Sequence, residues 1–169
     1  MKTSTLLLNF SVDKENNKIK VEREFAAPVS KVWAAWTESQ LIDQWWAPKP
    51  WKARTKTMDF RVGGCWLYAM TGPEGEESWC RADYKSITPL KGFTGEDAFC
   101  DANGNINNDF PRAYWTVEFK EKSNSTYVYV EIRFKELADV EKYIAMGFKE
   151  GFLAAMENLD ALLESAETK

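Results

Sequence analysis

The sequence predicts one α+β domain in which a curved antiparallel sheet wraps a long C-terminal helix. Three observations carry this prediction. Apolar residues alternate with period two in several short segments, short turns join those segments so that neighbours pair antiparallel, and near the C-terminus the apolar period becomes helical. At 169 residues the chain lies in the one-domain range, and no low-complexity tract or composition break marks a linker. A single domain over 1–169 is expected.

The opening reads as a hairpin. Leu6, Leu8, Phe10 and Val12 share one face of a strand over about 5–12, a polar turn covers Lys14 to Asn17, and Ile19, Val21 and Phe25 alternate on the return. Pro28 suits the first turn of a helix whose apolar positions Val29, Val32, Trp33 and Trp36 recur at helical spacing. Thr37 to Gln40 matches a capping box, predicting a second short helix from about Glu38 to Trp45, stopped by Pro48 and Pro50. Strands follow over about 51–60, 64–71, 78–88, 93–101, 112–120 and 126–134, separated by turns at Gly63-Gly64, Gly72 to Gly75 and Lys122 to Ser125. Trp66, Tyr68 and Met70, and again Val128, Val130, Ile132 and Phe134, predict a sheet with one buried and one wet face. From about 138 to 164, Val140, Ile144, Phe148, Phe152, Met156, Leu159 and Leu163 form the stripe of one continuous amphipathic helix, roughly 40 Å long from its rise per residue. Only the sheet offers enough surface to bury that stripe, and a twisted sheet of this many strands curls.

In this order of elements the chain resembles the SRPBCC superfamily, also called START-like or pollen-allergen-like, with its helix-grip fold. Within it, the chain is similar to the family named for homologues of the heat-shock-protein-90 ATPase activator. The residues that carry the resemblance are Arg23-Glu24-Phe25, Ala27-Pro28, Val32-Trp33, Trp36-Thr37, Leu41, Trp45-Trp46 and Pro48. They continue with Asp59-Phe60-Arg61, Gly63-Gly64-Cys65-Trp66, Met70 and Pro73-Glu74-Gly75, and end with Gly151-Phe152, Met156, Leu159 and Leu163. The match covers about residues 19–164. It implies an internal cavity between sheet and helix, used across the superfamily for lipids, polyketides and other apolar molecules, and it supplies no universal catalytic residue. Phe152 departs from a position where the pattern favours Trp. The chaperone-binding domain of eukaryotic activators has no counterpart in these 169 residues, which makes a chaperone the weaker implied partner and a stress-response role a secondary one.

Composition narrows the chemistry. The absence of histidine removes Ser-His-Asp, Cys-His and His-ligated metal mechanisms. Cys65, Cys80 and Cys100 lie far apart without a CxxC pair, as reduced thiols in a core would. A net charge of −4, with lysines interleaved among acids, gives no basic field for nucleic acid. Leu6 to Leu8 is too short for a signal core or a spanning helix, so a cytoplasmic location without membrane insertion is expected and the sequons at Asn9 and Asn124 are expected to be silent. The segment Asp101 to Asp109 imitates a calcium loop, but Ile106 occupies the glycine position and Arg112 the bidentate-glutamate position. It is read as a polar loop closed by Phe110-Pro111 over one end of the cavity. No cofactor and no catalytic constellation is expected, and the oligomeric state is not encoded in any recognisable motif.

What composition favours is aromatic surface, with eight Trp, ten Phe and six Tyr. Trp33, Trp36, Trp45, Trp46, Trp51, Trp66, Tyr68, Trp79 and Trp115 are the candidate cavity lining, and Tyr143, Met146 and Phe148 the helix residues bordering it. The competing reading is that these rings simply fill a core. Adjacent Trp45 and Trp46 cannot point the same way, so at least one is expected at a rim. Gly147 and Gly151 each weaken a helix interior by about 1 kcal/mol and require close sheet approach or space for a ligand as compensation. Glu76-Glu77 and Glu96-Asp97 fall in or beside turns and are expected on the solvated surface. Asp59 with Arg61 and Arg81 with Asp83 are expected as cross-strand ion pairs, with an inward arginine the alternative. The expected function is binding of a small hydrophobic, lipid- or polyketide-like molecule. A cyclase or dehydratase of the same superfamily and a chaperone-stimulating interaction protein are the alternatives.

Overall fold

A computed structural model describes residues 7–167. Leu6, the first residue of the predicted alternation, lies outside them. The elements are β1 (Leu8–Asp13), β2 (Lys18–Phe25), α1 (Val29–Thr37), α2 (Ser39–Ile42), β3 (Lys52–Met58), β4 (Cys65–Thr71), β5 (Glu77–Thr88), β6 (Gly92–Cys100), β7 (Ala113–Glu121), β8 (Thr126–Arg133), α3 (Leu137–Ala145) and α4 (Phe148–Glu167). The eight strands form one sheet in the order β1-β2-β8-β7-β6-β5-β4-β3, antiparallel throughout. The sequential hairpins account for every neighbour except β2-β8, where the first and last segments of the sheet meet in register from Lys18↔Arg133 to Phe25↔Thr126.

Alternation along β2 and β8 buries Ile19, Val21, Phe25, Val128, Val130 and Ile132 completely or nearly so. These side chains share one core with Phe152, Met156, Leu159 and Leu163 of α4, so the predicted stripe faces the sheet. The inner residues of β4 and β5 behave the same way, but Leu67 and Ala69 of β4 are buried too, so this strand is covered on both faces. Turn chemistry holds the β3-β4 connection tight. Gly63 has φ +86°, and a Cβ on Gly64 would lie 2.0 Å from the Asp59 carbonyl oxygen, so no side chain fits there.

Four local expectations are corrected. The C-terminal helix is two helices. Met146 and Gly147 close α3, with Gly147 at φ +89° donating its N–H to Ile144 O at 3.0 Å, the left-handed glycine that commonly ends a helix. The Gly147 carbonyl then accepts from Gly151 N at 3.0 Å, so the residue that ends α3 also starts α4. The capping box does not form, because Thr37 is still inside α1, where its hydroxyl donates to Trp33 O at 2.8 Å, and Glu38 precedes α2 without a side-chain cap. Pro28 sits one place before the helix, with extended ψ of 155°. Of the apolar residues of β1, only Phe10 is partly buried. This is an edge strand, and Leu8 and Val12 are 52% and 37% exposed. The opposite edge, β3, instead exposes Lys52, Arg54 and Lys56.

A partly buried ion pair ties helix to sheet. Arg23 of β2 donates to Asp160 of α4 and, at 2.7 Å, to the Glu24 carbonyl.

Candidate ligand cavity

Between the sheet and the helices lies a cavity of about 240 Å³, bounded by the inward side chains of β4, β5, β6 and β7 and by the α3-α4 junction. A smaller one of about 70 Å³ adjoins it. Trp46, Tyr68, Asp97 and Trp115 line both, forming the boundary the two share. The larger cavity is open near Met146, which is 50% exposed while lining it, and Gly147, Gly151 and Pro48 border the same side. A Cβ on Gly147 would meet nothing within 4 Å, so this junction leaves space rather than drawing the backbone against the sheet.

Of the twelve residues singled out from the sequence, the structure places Trp46, Tyr68, Trp115, Tyr143, Met146 and Phe148 on the larger cavity, and Trp36 and Trp66 on the smaller. Four line neither. Trp45 is fully buried, donates Nε1–H to Ala35 O at 2.9 Å and is core, which leaves its neighbour Trp46 to face the cavity. Trp33 is held edge-on by Phe60, Phe93 and Phe119. Trp79 points from β5 to the outer face, where Arg54 covers its ring at 5.5 Å and Glu77 accepts its N–H. Trp51 packs beside the Gly72 turn.

The sequence reading missed Asp97. The expectation of a solvated Glu96-Asp97 pair fails because the two residues lie inside β6, where neighbours face opposite ways. Phe93, Gly95, Asp97 and Phe99 form the inward row of that strand, and this period-two pattern is the signal that identifies Asp97. Its Oδ1 accepts the Ala113 N–H at 2.9 Å, and its Oδ2 accepts Trp115 Nε1–H at 2.7 Å and the Tyr143 hydroxyl at 3.4 Å. All three donors are neutral. Burial dominates over these bonds and pushes the carboxyl up to about 6. The same desolvation raises Tyr68 and Tyr143 well above the usual phenol range and pushes the Cys80 thiol up to about 12. Tyr68 accepts from Trp46 Nε1 at 3.0 Å. Trp36 Nε1 is buried with no partner, beside the smaller cavity.

The arginines do not enter the cavity. Arg61 pairs with Asp59 at 2.8 Å within the β3-β4 loop, and Arg81 with Asp83 at 2.5 Å along one strand, so neither pair is cross-strand. Asp83 also binds Arg112 at 2.9 Å, and Arg112 Nε donates to the Asp97 carbonyl, behind the cavity wall. The loop after β6 closes on itself through Asp101, which accepts from Asn103 and Asn105. Phe110 at its end packs at a tilt with its ring centroid 5.0 Å from that of Phe99, a cavity residue, and Lys142 of α3 donates to Asp109 O. Cys65, Cys80 and Cys100 are free thiols, of which only Cys80 is buried. Among the described residues no helix is long and apolar enough to cross a membrane.

A sheet gripping a C-terminal helix around an internal cavity defines the START-like, helix-grip class, whose fold supports ligand binding or a related function. The sequence profile of the family "Activator of Hsp90 ATPase homolog 1-like protein" matches residues 26–164, and the chain belongs to that family. A solution structure of a protein from Arthrobacter aurescens is similar over 93% of this chain and 91% of its own, at 29% identity and TM-score 0.88. The crystal structure of Ms6760 from Mycobacterium smegmatis covers 94% and 96%, at 26% identity and TM-score 0.86. A protein from Staphylococcus epidermidis matches over 92% and 94%, at 26% identity and TM-score 0.81. No curated protein matches the sequence.

Proposed function

We propose that this protein binds a small, mainly apolar molecule in the cavity between sheet and helices and holds it without covalent change. The observation that carries this reading is the cavity of about 240 Å³ with an aromatic lining and a single carboxylate. Rings supply wide contact with few rotors, and one polar group fixes orientation. The family's fold supports ligand binding in general terms. The test is a panel of fatty acids, flavonoids and polyketide-like aromatics followed by Trp fluorescence and thermal shift. Saturable binding that is lost when Gly151→Trp fills the mouth is expected, and a folded protein that responds to no member of the panel refutes the reading.

One observation favours a second reading, a cyclase- or dehydratase-type enzyme. Asp97 is a carboxyl in an apolar cavity with its pKa near 6, beside the Tyr143 hydroxyl, a pairing suited to proton transfer close to neutral pH. Mass analysis of each bound panel member after prolonged incubation separates the two. Unchanged ligand supports binding alone, and a product absent from Asp97→Asn supports catalysis.

A further inference from the structure

The ligand-binding reading leaves the chemistry of the ligand's polar end open, and the surroundings of Asp97 narrow it. Among the described residues no lysine or arginine lines either cavity. The nearest guanidinium, Arg112, directs Nη2 to Asp83 at 2.9 Å and Nη1 to Glu96 at 3.8 Å; it bonds Asp97 at the backbone carbonyl, and its charge acts on the carboxylate less than any of the three hydrogen bonds there. Arg81 is likewise held by Asp83 and the Gly104 carbonyl. This cluster therefore sets two guanidiniums against three carboxylates, Asp83, Glu96 and Asp97, and the carboxylate left over is the one that faces the cavity. Its own donors, Ala113 N–H, Trp115 Nε1–H and Tyr143 O–H, are neutral and supply hydrogen bonds without countercharge.

The walls around that carboxylate are π faces and edges. Trp46 and Trp115 lie 5.9 Å apart between centroids, Phe152 lies 5.9 Å from Trp115, and Phe148 stacks on Phe152 at 5.2 Å. Aromatic rings around a single buried anion attract a cation twice, through the ring quadrupoles and through the uncompensated charge. A neutral ligand leaves that charge desolvated, and an anionic one repels it.

We infer that the cavity selects an aromatic or otherwise apolar molecule with a protonated amine head, seated against Asp97 and enclosed by Trp46, Trp115 and Tyr143. The inference rests on the ligand-binding reading above and adds the sign of the ligand's charge. Position supports it as well, because Asp97 lies where the two cavities adjoin, so the head group sits inside while the apolar body extends toward Met146 and the mouth.

Three isosteric probes test it: 2-naphthylethylammonium, 2-naphthylethanol and 2-naphthylacetate, titrated calorimetrically against the intact chain. The expected order is ammonium tightest and acetate weakest, with ammonium over alcohol by about tenfold or more at neutral pH. In Asp97→Asn that preference collapses to within about threefold, because the ammonium loses its anionic partner and the alcohol no longer desolvates a charge. The wild type provides the same contrast without a variant, because lowering the pH through the titration of Asp97 neutralises the carboxylate while the amine stays protonated, and the preference for ammonium should fade. Equal affinity for ammonium and alcohol, or a preference unchanged by both pH and Asp97→Asn, overturns the inference and leaves the ligand-binding reading standing. Failure of all three probes, together with failure of the broader apolar panel, removes that reading and this one with it.

Discussion

Asp97→Asn should make the protein respond differently to acid, and the sign is opposite to that of an ordinary native carboxylate. Unfolded, the group titrates near 3.8, and folded near 6, because burial disfavours its charge. The folded state therefore holds the proton more tightly than the unfolded one. Stability from this group is absent above the folded value, rises as pH falls through about 6, and is complete below about 3.8. The separation of the two values corresponds to about 3 kcal/mol in full, of which about 2 kcal/mol is gained between about pH 7.5 and pH 4.5. Other carboxylates act in the opposite sense, since hydrogen bonds and ion pairs lower Glu22, Glu24 and Asp83. The raw pH curve of the wild type mixes these effects. The difference between wild type and Asp97→Asn isolates one group, because asparagine keeps the size and does not titrate, and any lost hydrogen bond enters as a constant offset. Of the titratable groups facing Asp97, burial raises Tyr68 on β4, Cys80 on β5 and Tyr143 on α3 above their ordinary values, so these three stay neutral across this range. Urea unfolding followed by Trp fluorescence at the two pH values measures the difference. A wild-type advantage that grows by about 2 kcal/mol on acidification is expected, and a difference that stays flat refutes the claim that Asp97 is a desolvated, unpaired carboxylate.

The two glycines at the cavity mouth should respond to alanine with opposite signs. Gly147→Ala forces a side chain into φ +89° and should cost about 1–2 kcal/mol, whereas Gly151→Ala lies within α4, meets only Pro48 Cγ at 3.6 Å and should gain up to about 1 kcal/mol; chemical denaturation checks both. Thr126→Val should lose about 1–2 kcal/mol in the same assay, since the Thr126 hydroxyl is fully buried and its 2.8 Å bond is what satisfies the Ala27 carbonyl. Iodoacetamide at neutral pH should label Cys80 far more slowly than Cys65 or Cys100, with labelling appearing in urea, because burial raises all three thiols, Cys80 to about 12 and Cys100 to about 11, but only Cys80 is also shut away from reagent. Peptide mapping by mass spectrometry reads the order directly.

Most of the architecture was legible because strands and helices differ in period, and here the periods are clean. Ile19 to Phe25 and Val128 to Phe134 announce their faces without ambiguity. The break at Gly147 was not legible, since a stripe running from Val140 to Leu163 keeps its spacing across a two-residue joint and glycine in a helix interior is indistinguishable from glycine ending one. Thr37 misled for a related reason: a capping box is defined by spacing, and its hydroxyl finds the Trp33 carbonyl one turn back. On the cavity, the count of rings pointed to the right surface but not to each member. Trp45 and Trp46, adjacent in the turn after α2, divide between core and cavity, and Trp79 leaves by the outer face because a strand assigns sides by parity and not by hydrophobicity. The same parity exposes Asp97, whose acidic character suggested solvent while its place two residues from Gly95 and Phe99 set it inward.

The tryptophans have an optical consequence. Trp36, Trp45 and Trp46 lie with ring centroids 4.8 to 5.9 Å apart, and Trp46 reaches on to Trp66 at 5.5 Å and Trp115 at 5.9 Å. At such separations excitation passes freely among indoles, so these five emit as one chromophore whichever of them absorbs. Trp46 is its hub and borders both cavities, so an occupant of either quenches or shifts the shared emission. The protein carries its own label-free reporter, blind to which of the two chambers is filled. Trp46→Phe would remove the hub, leaving Trp36 and Trp66 on the smaller chamber while Trp115 still borders both.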